Sequence, residues 1–575
     1  MNIFKDRFSE IKKASESLYK SPKSVQETIE ILKISESGIF EVADGKYSKT
    51  YRFSDVNYAT RSEDEQESFF QRYCKCLNSF DCTFKITVNN KNKDMDVLRN
   101  EVMLKYRNDG FDKMRESYNR IIEEKILEGR QGIEQERYLT ITIERKNFEE
   151  AKAQFATIEA SMFRSFAELG SKLTPLTGNE RLKILHDYYR LGREDEFNFD
   201  IRQGRITGTD FRNEICNTRI KYHPDYFEDE GKVGRVLFIK KYPTYLSDRF
   251  FTELTFLPVH SVTSVDVVPV PKDLTMKMLQ KKYLGIESDI IKQQRTRNRN
   301  NDFSSDISYA TRQKKKDIEE IMNNVRENDE SLYYVSVTMI VMADDRDELQ
   351  SICETVDSIA KGAGCAVDTC MYKQREAVNT TLPIGVRQIE TMRTMLTQSL
   401  AVLMPFNVQE LCDRNGIYYG VNQISKNIIV GNRKKLLNGN GFIFGVSGAG
   451  KSFQAKMEMG SVLLSTDDNV IAVDPMNEYE DVTEKYNGTY INISTNTRNY
   501  INPMDMDVWN LDVLDSKGWV RDKCQFMLSI CADNEGNNTT AEVNHFKMRK
   551  RLVHGHCKKQ GKIRSHNGRL VQQTS

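Results

Sequence analysis

The sequence predicts an α+β region over residues 1–415, followed by an α/β domain with a parallel sheet over residues 416–543. Two observations indicate this order. Strand–helix–strand patterns recur in the first region, at residues 138–169 and 333–372. From about Gly416 onwards, short apolar strands alternate with helices, which is the β–α–β pattern of a parallel sheet.

The composition is that of a globular protein with a polar surface. Hydrophobic residues make up 39% and charged residues 29% of the 575 residues, a length that predicts two to four domains. The 84 basic and 83 acidic residues leave a net charge of +1, so the overall charge gives no information, for or against, about a nucleic-acid partner. The eleven cysteines include no C-x-x-C pair and fit no zinc site, as expected of free thiols in the cytoplasm.

No stretch approaches the ~18–20 consecutive apolar residues of a membrane-spanning helix. The longest apolar candidate, Tyr333–Ala343, is typical of a buried strand, and the N-terminus lacks the apolar core of a signal peptide. We therefore expect a cytoplasmic protein that reaches the inner face of the cell membrane only through partner proteins.

Turn residues and periodicity predict the elements of the first region. Asp44-Gly45, between two strand-like runs, predicts a hairpin within residues 38–60. The other predicted elements are a helix at about Asp64–Ser79, strands at Thr83–Val88, Tyr138–Glu144, Tyr333–Ala343 and Cys365–Tyr372, and helices at about Asn147–Leu169 and Asp345–Lys361. Residues 287–330 are a polar excursion, either a solvated helical or loop segment or a surface for nucleic acid or a partner subunit.

The second region is predicted to alternate strands and helices. Its elements are strands at Ile428–Val430, Gly441–Val446, Asn469–Val473 and Thr489–Ile493, and helices at Lys451–Thr466 and Tyr479–Tyr486.

A phosphate-binding loop is predicted at residues 445–452, where GVSGAGKS satisfies the pattern G-x-x-x-x-G-K-[ST] between a strand and a helix. Glycines let the backbone wrap a phosphate, and amides at the helix N-terminus face the anion. Lys451 is expected to act in catalysis by reaching the β- and γ-phosphates of ATP, and Ser452 to bind Mg²⁺. The predicted nucleotide-binding residues are Gly445, Val446, Ser447, Gly448, Ala449, Gly450, Lys451, Ser452 and Phe453.

Two acids follow the next predicted strand, in VDPMNEYEDV. Asp474 and Glu478 lie where an acid could orient an attacking water. Alternatively, Asp474 caps the following turn and Glu478 is solvated. A dinucleotide site would also place an acid after this strand, but it needs G-x-G-x-x-G, and the Gly-Lys-Ser triplet favours phosphate binding.

Several stretches resemble the VirB-four ATPases of conjugative type IV secretion systems, in the Gram-positive conjugative-element branch of that family. VDPMNEY is similar to the family's DP-x-x-EY signature, and INPMD is similar to its INP-x-D stretch. The resemblance extends over residues 35–540. Its N-terminal part rests on residues 46–59, 85–90, 137–143 and 181–190.

This resemblance implies a RecA-like α/β P-loop NTPase domain after an α+β N-terminal domain. It also implies a hexameric motor that uses ATP and Mg²⁺, contacts other channel subunits, and energises channel assembly or substrate transfer, with Glu478 as a catalytic acid. Contact with DNA is a further expectation. The alternatives are a non-catalytic module that docks to the channel, and a DNA-translocating motor of the HerA or FtsK type.

The sequence departs from the family near its end. Nothing after Ser452 fits the strand and acid, called Walker B, that hold Mg²⁺ in this family. Residues 544–575 are basic, His-rich and free of Asp and Glu, which fits either a nucleic-acid-binding tail or, as we favour, unrelated sequence from an interrupted gene. We therefore expect an incomplete ATPase domain that hydrolyses ATP slowly or not at all.

Overall fold

The computed structural model describes residue 525 and residues 22–492, apart from residues 23, 93–98, 101, 129–132, 244, 300–308, 328, 414–415 and 424–426. The chain divides into two compact units, residues 1–471 and 472–575, and each is described by itself. The INPMD stretch and the basic tail lie outside the described residues.

The strands of the described residues are short to medium in length. They are β1 (Lys33–Ile34), β2 (Ile39–Ala43), β3 (Lys46–Phe53), β4 (Thr83–Asn92), β5 (Ile133–Glu144), β6 (Leu173–Pro175), β7 (Ile220–Tyr222), β8 (Phe227–Asp229), β9 (Lys232–Lys241), β10 (Ser261–Val270), β11 (Leu332–Ala343), β12 (Ala366–Thr369), β13 (Arg393–Leu396), β14 (Ile417–Val421) and β15 (Ile428–Gly431).

The α-helices of the described residues range from a single turn to nearly eight turns. They are α1 (Glu63–Asn78), α2 (Asp112–Glu128), α3 (Phe148–Leu169), α4 (Gly178–Tyr189), α5 (Ile201–Thr207), α6 (Arg212–Ile215), α7 (Arg249–Thr255), α8 (Lys272–Arg299), α9 (Tyr309–Glu327), α10 (Arg346–Gly362), α11 (Gln374–Thr381), α12 (Thr397–Ala401), α13 (Lys451–Ser465) and α14 (Glu480–Lys485). None of these described helices is long and apolar enough to cross a bilayer.

One large antiparallel sheet organises the first unit. Its main path runs β1–β2–β3–β5–β4–β10–β11–β9–β8–β7, with β6 beside β3, β12 beside β9 and β13 beside β11. Each of these pairs is antiparallel. A separate antiparallel hairpin, β14–β15, follows. The first unit therefore mixes helices with a large antiparallel sheet, as the N-terminal pattern predicts.

Local signals explain where the N-terminal elements begin and turn. Gly45 has a φ of +68° in the β2–β3 turn, as the predicted hairpin requires. Helix α3 begins after Asn147, whose side chain accepts a hydrogen bond from the Glu150 amide at 2.9 Å. Helix α10 begins in the same way after Asp345, which accepts from the Glu348 amide at 2.8 Å. These caps satisfy amides that have no partner within the first turn of a helix.

The polar excursion between β10 and β11 is largely helical. Helices α8 and α9 contact each other through polar groups, with Lys315 Nζ 3.1 Å from Glu287 Oε1 and the Tyr283 hydroxyl 3.2 Å from Glu319 Oε1. The sequence leaves open whether this excursion is helical or a loop, and the described part is an antiparallel helix pair.

The predicted parallel strands after Gly431 are wrong. Residues 441–446, 469–473 and 489–492 contain no strand, although β15 and helices α13 and α14 lie where the pattern predicts them. The apolar side chains at these positions are open to solvent, since Phe444 is 87% exposed and Ile471 is 93% exposed. An apolar run becomes a strand only when a neighbouring strand supplies hydrogen-bond partners, and these described segments have none.

Both faces of the sheet are buried at β4, and there they differ in chemistry. In β4, Phe84, Ile86 and Val88 enter the main apolar core with residues of α1, α3 and α10. The alternate residues, Lys85 and Thr87, face the other side and are also buried. An alternating strand usually exposes its polar face to water, so this face needs a covering element that can accept hydrogen bonds.

The covering element is a strap, residues 380–388, made of the last two residues of α11 and the irregular segment after them. Arg181 donates to the carbonyl oxygens of Pro383 and Ile384 at 3.2 and 3.3 Å. Lys85 Nζ donates to Thr380 and Leu382, and to Val386 at 3.1 Å. Sheet hydroxyls donate to further strap carbonyls: Ser48 to Ile384, Thr50 to Pro383, Thr142 to Gly385 and Ser264 to Thr381.

An ion pair anchors the end of the strap to the centre of the sheet. Arg387 donates from Nε and Nη2 to the two Asp266 carboxylate oxygens at 2.6 and 2.8 Å. Asp266 lies opposite Lys85 across the β4–β10 pair. Burial lowers the pKa of Lys85 to about 8, because the ammonium ion is removed from water.

Gly385 should tolerate no side chain. Its φ is +95°, and an added Cβ would lie 2.6 Å from Ser48 Cβ and 2.7 Å from Thr142 Oγ1. Gly208, at the end of α5, has a φ of +72° but open space around it. We expect Gly208→Ala to lower the free energy of unfolding by about 1–2 kcal/mol from backbone strain alone. Gly385→Ala should cost at least about 1–3 kcal/mol more, since it adds steric overlap.

Chemical denaturation of both variants measures this difference. Equal losses of stability in the two variants would contradict the close packing of the strap on β3 and β5.

Lys85 should make stability depend on pH above neutrality. Between its folded pKa of about 8 and its unfolded value of 10.5, the unfolded chain holds more protons. Stability contributed at this residue therefore rises with pH in that window, by on the order of 1 kcal/mol per pH unit. The free energy of unfolding of wild type minus that of Lys85→Met should therefore rise from pH 8 to pH 10.

Urea denaturation across this pH range provides the measurement, and subtraction of the Lys85→Met curve removes the titration of other groups. Lys85→Arg is the matched control, since its guanidinium keeps its charge and should give no such slope. A difference in free energy of unfolding between wild type and Lys85→Met that does not change with pH would contradict the lowered pKa.

Candidate functional site

The glycine-rich loop turns sharply into helix α13. Gly448 and Gly450 have φ values of +80° and +87°, in the left-handed region that favours glycine. The Ala449 amide donates to the Val446 carbonyl at 3.2 Å, which closes the turn. Helix α13 begins at Lys451, directly after Gly450. The amides of its first turn therefore follow the loop without an intervening residue, as anion binding at a helix N-terminus requires.

Lys451 folds back over this loop. Its Nζ donates to the carbonyl oxygens of Gly445 and Val446, both at 2.9 Å. An added Cβ at Gly445 would lie 3.2 Å from Ala449 Cβ and 3.3 Å from Lys451 Cγ, so a small residue is favoured there. The lysine ammonium is thereby held beside the backbone that would surround a phosphate.

The other predicted residues of the loop are open to solvent or nearly so. Ser447 is exposed, and Ser452, in the first turn of α13, is half-buried. Phe453 is 67% exposed. The Ser452 hydroxyl is of the chemical type that binds Mg²⁺ in P-loop proteins.

Asp474 and Glu478 lie in the second unit and differ in their roles. The Asp474 carboxylate accepts hydrogen bonds from the amides of Met476 at 3.2 Å and Tyr479 at 2.9 Å. It thus organises the turn before α14, in which Asn477 has a φ of +60°. Glu478 is exposed. This geometry matches the interpretation in which Asp474 caps the turn, and Glu478 keeps a solvent-facing carboxylate.

Helix α13 packs on an apolar cluster that the sequence pattern does not predict. The cluster joins Val102 and α2 to the β14–β15 hairpin, and Met457 of α13 packs against it. Its buried members are Val102, Tyr118, Ile122, Ile126, Ile428 and Val430. The spacing of Tyr118, Ile122 and Ile126 at every fourth residue is the signal that could have identified α2 as a packed helix.

A polar contact ties the middle of α13 to the same hairpin. The Tyr419 hydroxyl donates to Glu458 Oε1 at 3.0 Å, and Arg433 Nη2 lies 2.8 Å from the same oxygen. The Arg433 guanidinium also lies over the Tyr419 ring, 5.5 Å from its centroid. These contacts fix the helix whose first turn carries Lys451.

A comparison with protein families bears on this loop. Comparison with curated proteins finds no match. The family model described as Helicase HerA, central domain, matches residues 432–522, a range that includes the loop, Asp474 and Glu478. This part of the chain is therefore similar to a P-loop ATPase domain of the HerA type.

Proposed function

We propose that the chain binds ATP with Mg²⁺ at residues 445–453 and is the ATP-binding component of a conjugative DNA-transfer apparatus. The observation that carries the proposal is the conformation of the loop. Gly448 and Gly450 adopt positive φ angles immediately before α13, and Lys451 lies over the turn. The HerA-type match over residues 432–522 supports the same chemistry.

The residues of the loop have distinct roles in this proposal. Loop amides and the N-terminus of α13 hold the phosphates, and Lys451 moves from the loop carbonyls to the β- and γ-phosphates. Ser452 holds Mg²⁺, which neutralises charge on the phosphates when it is bound. Glu478 is proposed to orient the attacking water, on the strength of the DP-x-x-EY signature.

The conjugation role rests on the family resemblance of the N-terminal region. The HerA match begins at residue 432 and does not include residues 1–431, which contain the large antiparallel sheet. The stretches that resemble VirB-four ATPases at residues 46–59, 85–90 and 137–143 contribute to β3, β4 and β5 of that sheet. In this proposal the ATPase domain is RecA-like, the chain forms hexamers, and channel subunits hold it at the membrane.

A DNA-translocating motor of the HerA type is the second candidate, and the family match favours it directly. The two candidates differ in what stimulates them. A translocating motor should hydrolyse ATP faster in the presence of duplex DNA. A channel component should respond to its secretion partners, and a purely docking module should bind ATP weakly at most.

Lys451→Ala should abolish ATP binding, because the loop then lacks the ammonium that neutralises the terminal phosphates. Isothermal titration with ATP and Mg²⁺ measures the change. Lys456→Ala removes the same charge from α13 further along the helix and should leave affinity within about twofold of wild type, since dipole effects fade beyond the first turn. Equal binding by wild type and Lys451→Ala would contradict the proposal.

Turnover should depend on Lys451 and Glu478, because neutralising the phosphate charge and orienting the attacking water each contribute strongly to phosphoryl transfer. Steady-state phosphate release is the measurement, with Lys451→Ala as the blank. Glu478→Gln should remove this turnover without weakening ATP binding. Phosphate release that Lys451→Ala retains would contradict the proposed site, and turnover in Glu478→Gln equal to that of wild type would exclude that acid.

A further inference from the structure

The C-terminal end of helix α13 is held by two arginines from a distant part of the sequence. Both belong to an arm, residues 102–128, inserted between β4 and β5 of the large sheet. The last turn of α13 presents the carbonyl oxygens of Leu464, Ser465 and Thr466, which lack partners within the helix. These are the groups that the two arginines contact.

Arg115 is the buried member of this pair. Its side chain has no exposed surface, and its Nε donates to the Leu464 carbonyl at 3.1 Å. Its remaining nitrogens donate to Asp109 at 2.6 Å and to Asp112 at 2.7 Å. The Arg115 guanidinium holds the pKa of Asp109 well below its usual range. The two carboxylates fix the guanidinium in the plane that reaches α13.

Arg107 is the more exposed member. Its Nη2 donates to the Ser465 carbonyl at 2.6 Å, and its Nη1 lies 3.4 Å from the Thr466 carbonyl. The same Nη1 donates to Asp467 at 2.7 Å. The Arg107 amide in turn donates to the Asp112 carboxylate at 3.0 Å. One carboxylate therefore links the backbone of Arg107 to the side chain of Arg115.

The two ends of α13 belong to one rigid helix, and each end favours a different charge. The N-terminus of a helix favours an anion and its C-terminus favours cations, because the peptide dipoles align along the axis. Cations that fix the last turn also fix the axial position of a helix about 22 Å long. The loop amides and Lys451 move with the first turn of that helix.

We propose that Arg107 and Arg115 form an arginine clamp that positions α13 for nucleotide binding and couples occupancy of the loop to the arm between β4 and β5. The two arginines are positioning residues, because neither contacts the loop. This inference rests on the proposed ATP-binding function and adds regulation of that site by the N-terminal sheet. Since coupling between two sites is reciprocal, ATP at the loop should tighten the clamp.

The test uses Arg107, because truncation of the buried Arg115 would strand two carboxylates and endanger folding. Arg107→Ala should weaken ATP binding about two- to fivefold, because the last turn of α13 loses one of the two side chains that hold it in position. Arg107→Lys keeps the charge and should recover part of the affinity. Arg120→Ala is the matched control, since Arg120 is an exposed arginine of α2, and it should bind ATP as wild type does.

Two further readouts separate positioning from general destabilisation. The melting temperature of nucleotide-free Arg107→Ala should stay within about 2 °C of wild type, since exposed ion pairs contribute little to stability. Hydrogen–deuterium exchange of amides in residues 112–126 should slow about two- to fivefold when ATP and Mg²⁺ bind wild type, and less in Arg107→Ala.

The outcomes are distinguishable. If wild type fails to bind ATP, the proposed function falls and this inference falls with it. If wild type binds ATP, but Arg107→Ala binds as tightly as Arg120→Ala and exchange in α2 is unchanged, the clamp alone is overturned. Reduced affinity that Arg107→Lys partly restores, together with protection of α2, supports it.

Discussion

The strap across the large sheet depends on buried cations that donate to backbone carbonyls. An irregular segment has no ladder to pair its carbonyl groups, and leaving them unpaired away from water is costly. Arg181 of α4 and Lys85 of β4 supply those donors, and in return the carbonyls solvate charges that burial would otherwise disfavour. Neither the strap nor the cations would be stable in this place alone, so the polar face of the sheet closes only when both are present.

Local signals predict much of the N-terminal fold, because they act within a few residues. Asp44-Gly45 defines its hairpin, and Asn147 and Asp345 define the starts of α3 and α10. The covering of the polar face depends instead on contacts between residues that are far apart in the sequence. Lys85 lies 295 residues from Thr380, and nothing in the neighbourhood of either residue indicates the contact. The alternation in β4 therefore predicts the strand but not that its polar side is buried.

The candidate site also has some features that the local sequence predicts and others that it does not. The loop and the helix after it follow from GVSGAGKS, since each glycine and the lysine act within the loop itself. The parallel strands expected on either side are wrong, because an apolar run such as residues 441–446 contains no information about whether a neighbouring strand is available. Arg107 and Arg115 could not be found from the loop, because the groups of the last turn of α13 that they contact are main-chain carbonyls, which every residue possesses.

The order of strands in the sheet has a consequence for how the chain is made. Strand β4 pairs with β5 on one side and with β10 on the other, and Thr87 of β4 meets Ser264 of β10, 177 residues later. At a synthesis rate of about 5–20 residues per second, the second edge of β4 stays open for roughly 10–35 seconds on the ribosome. The Lys85 ammonium stays without its acceptors for longer, because the strap is synthesised after β4, β10 and β11. During that interval the nascent chain exposes an unpaired strand edge and the Lys85 charge, both of which are buried in the folded protein. Pairing over so long a stretch of sequence is slow, and an open edge can pair with other chains, so protection of this edge during translation is favoured.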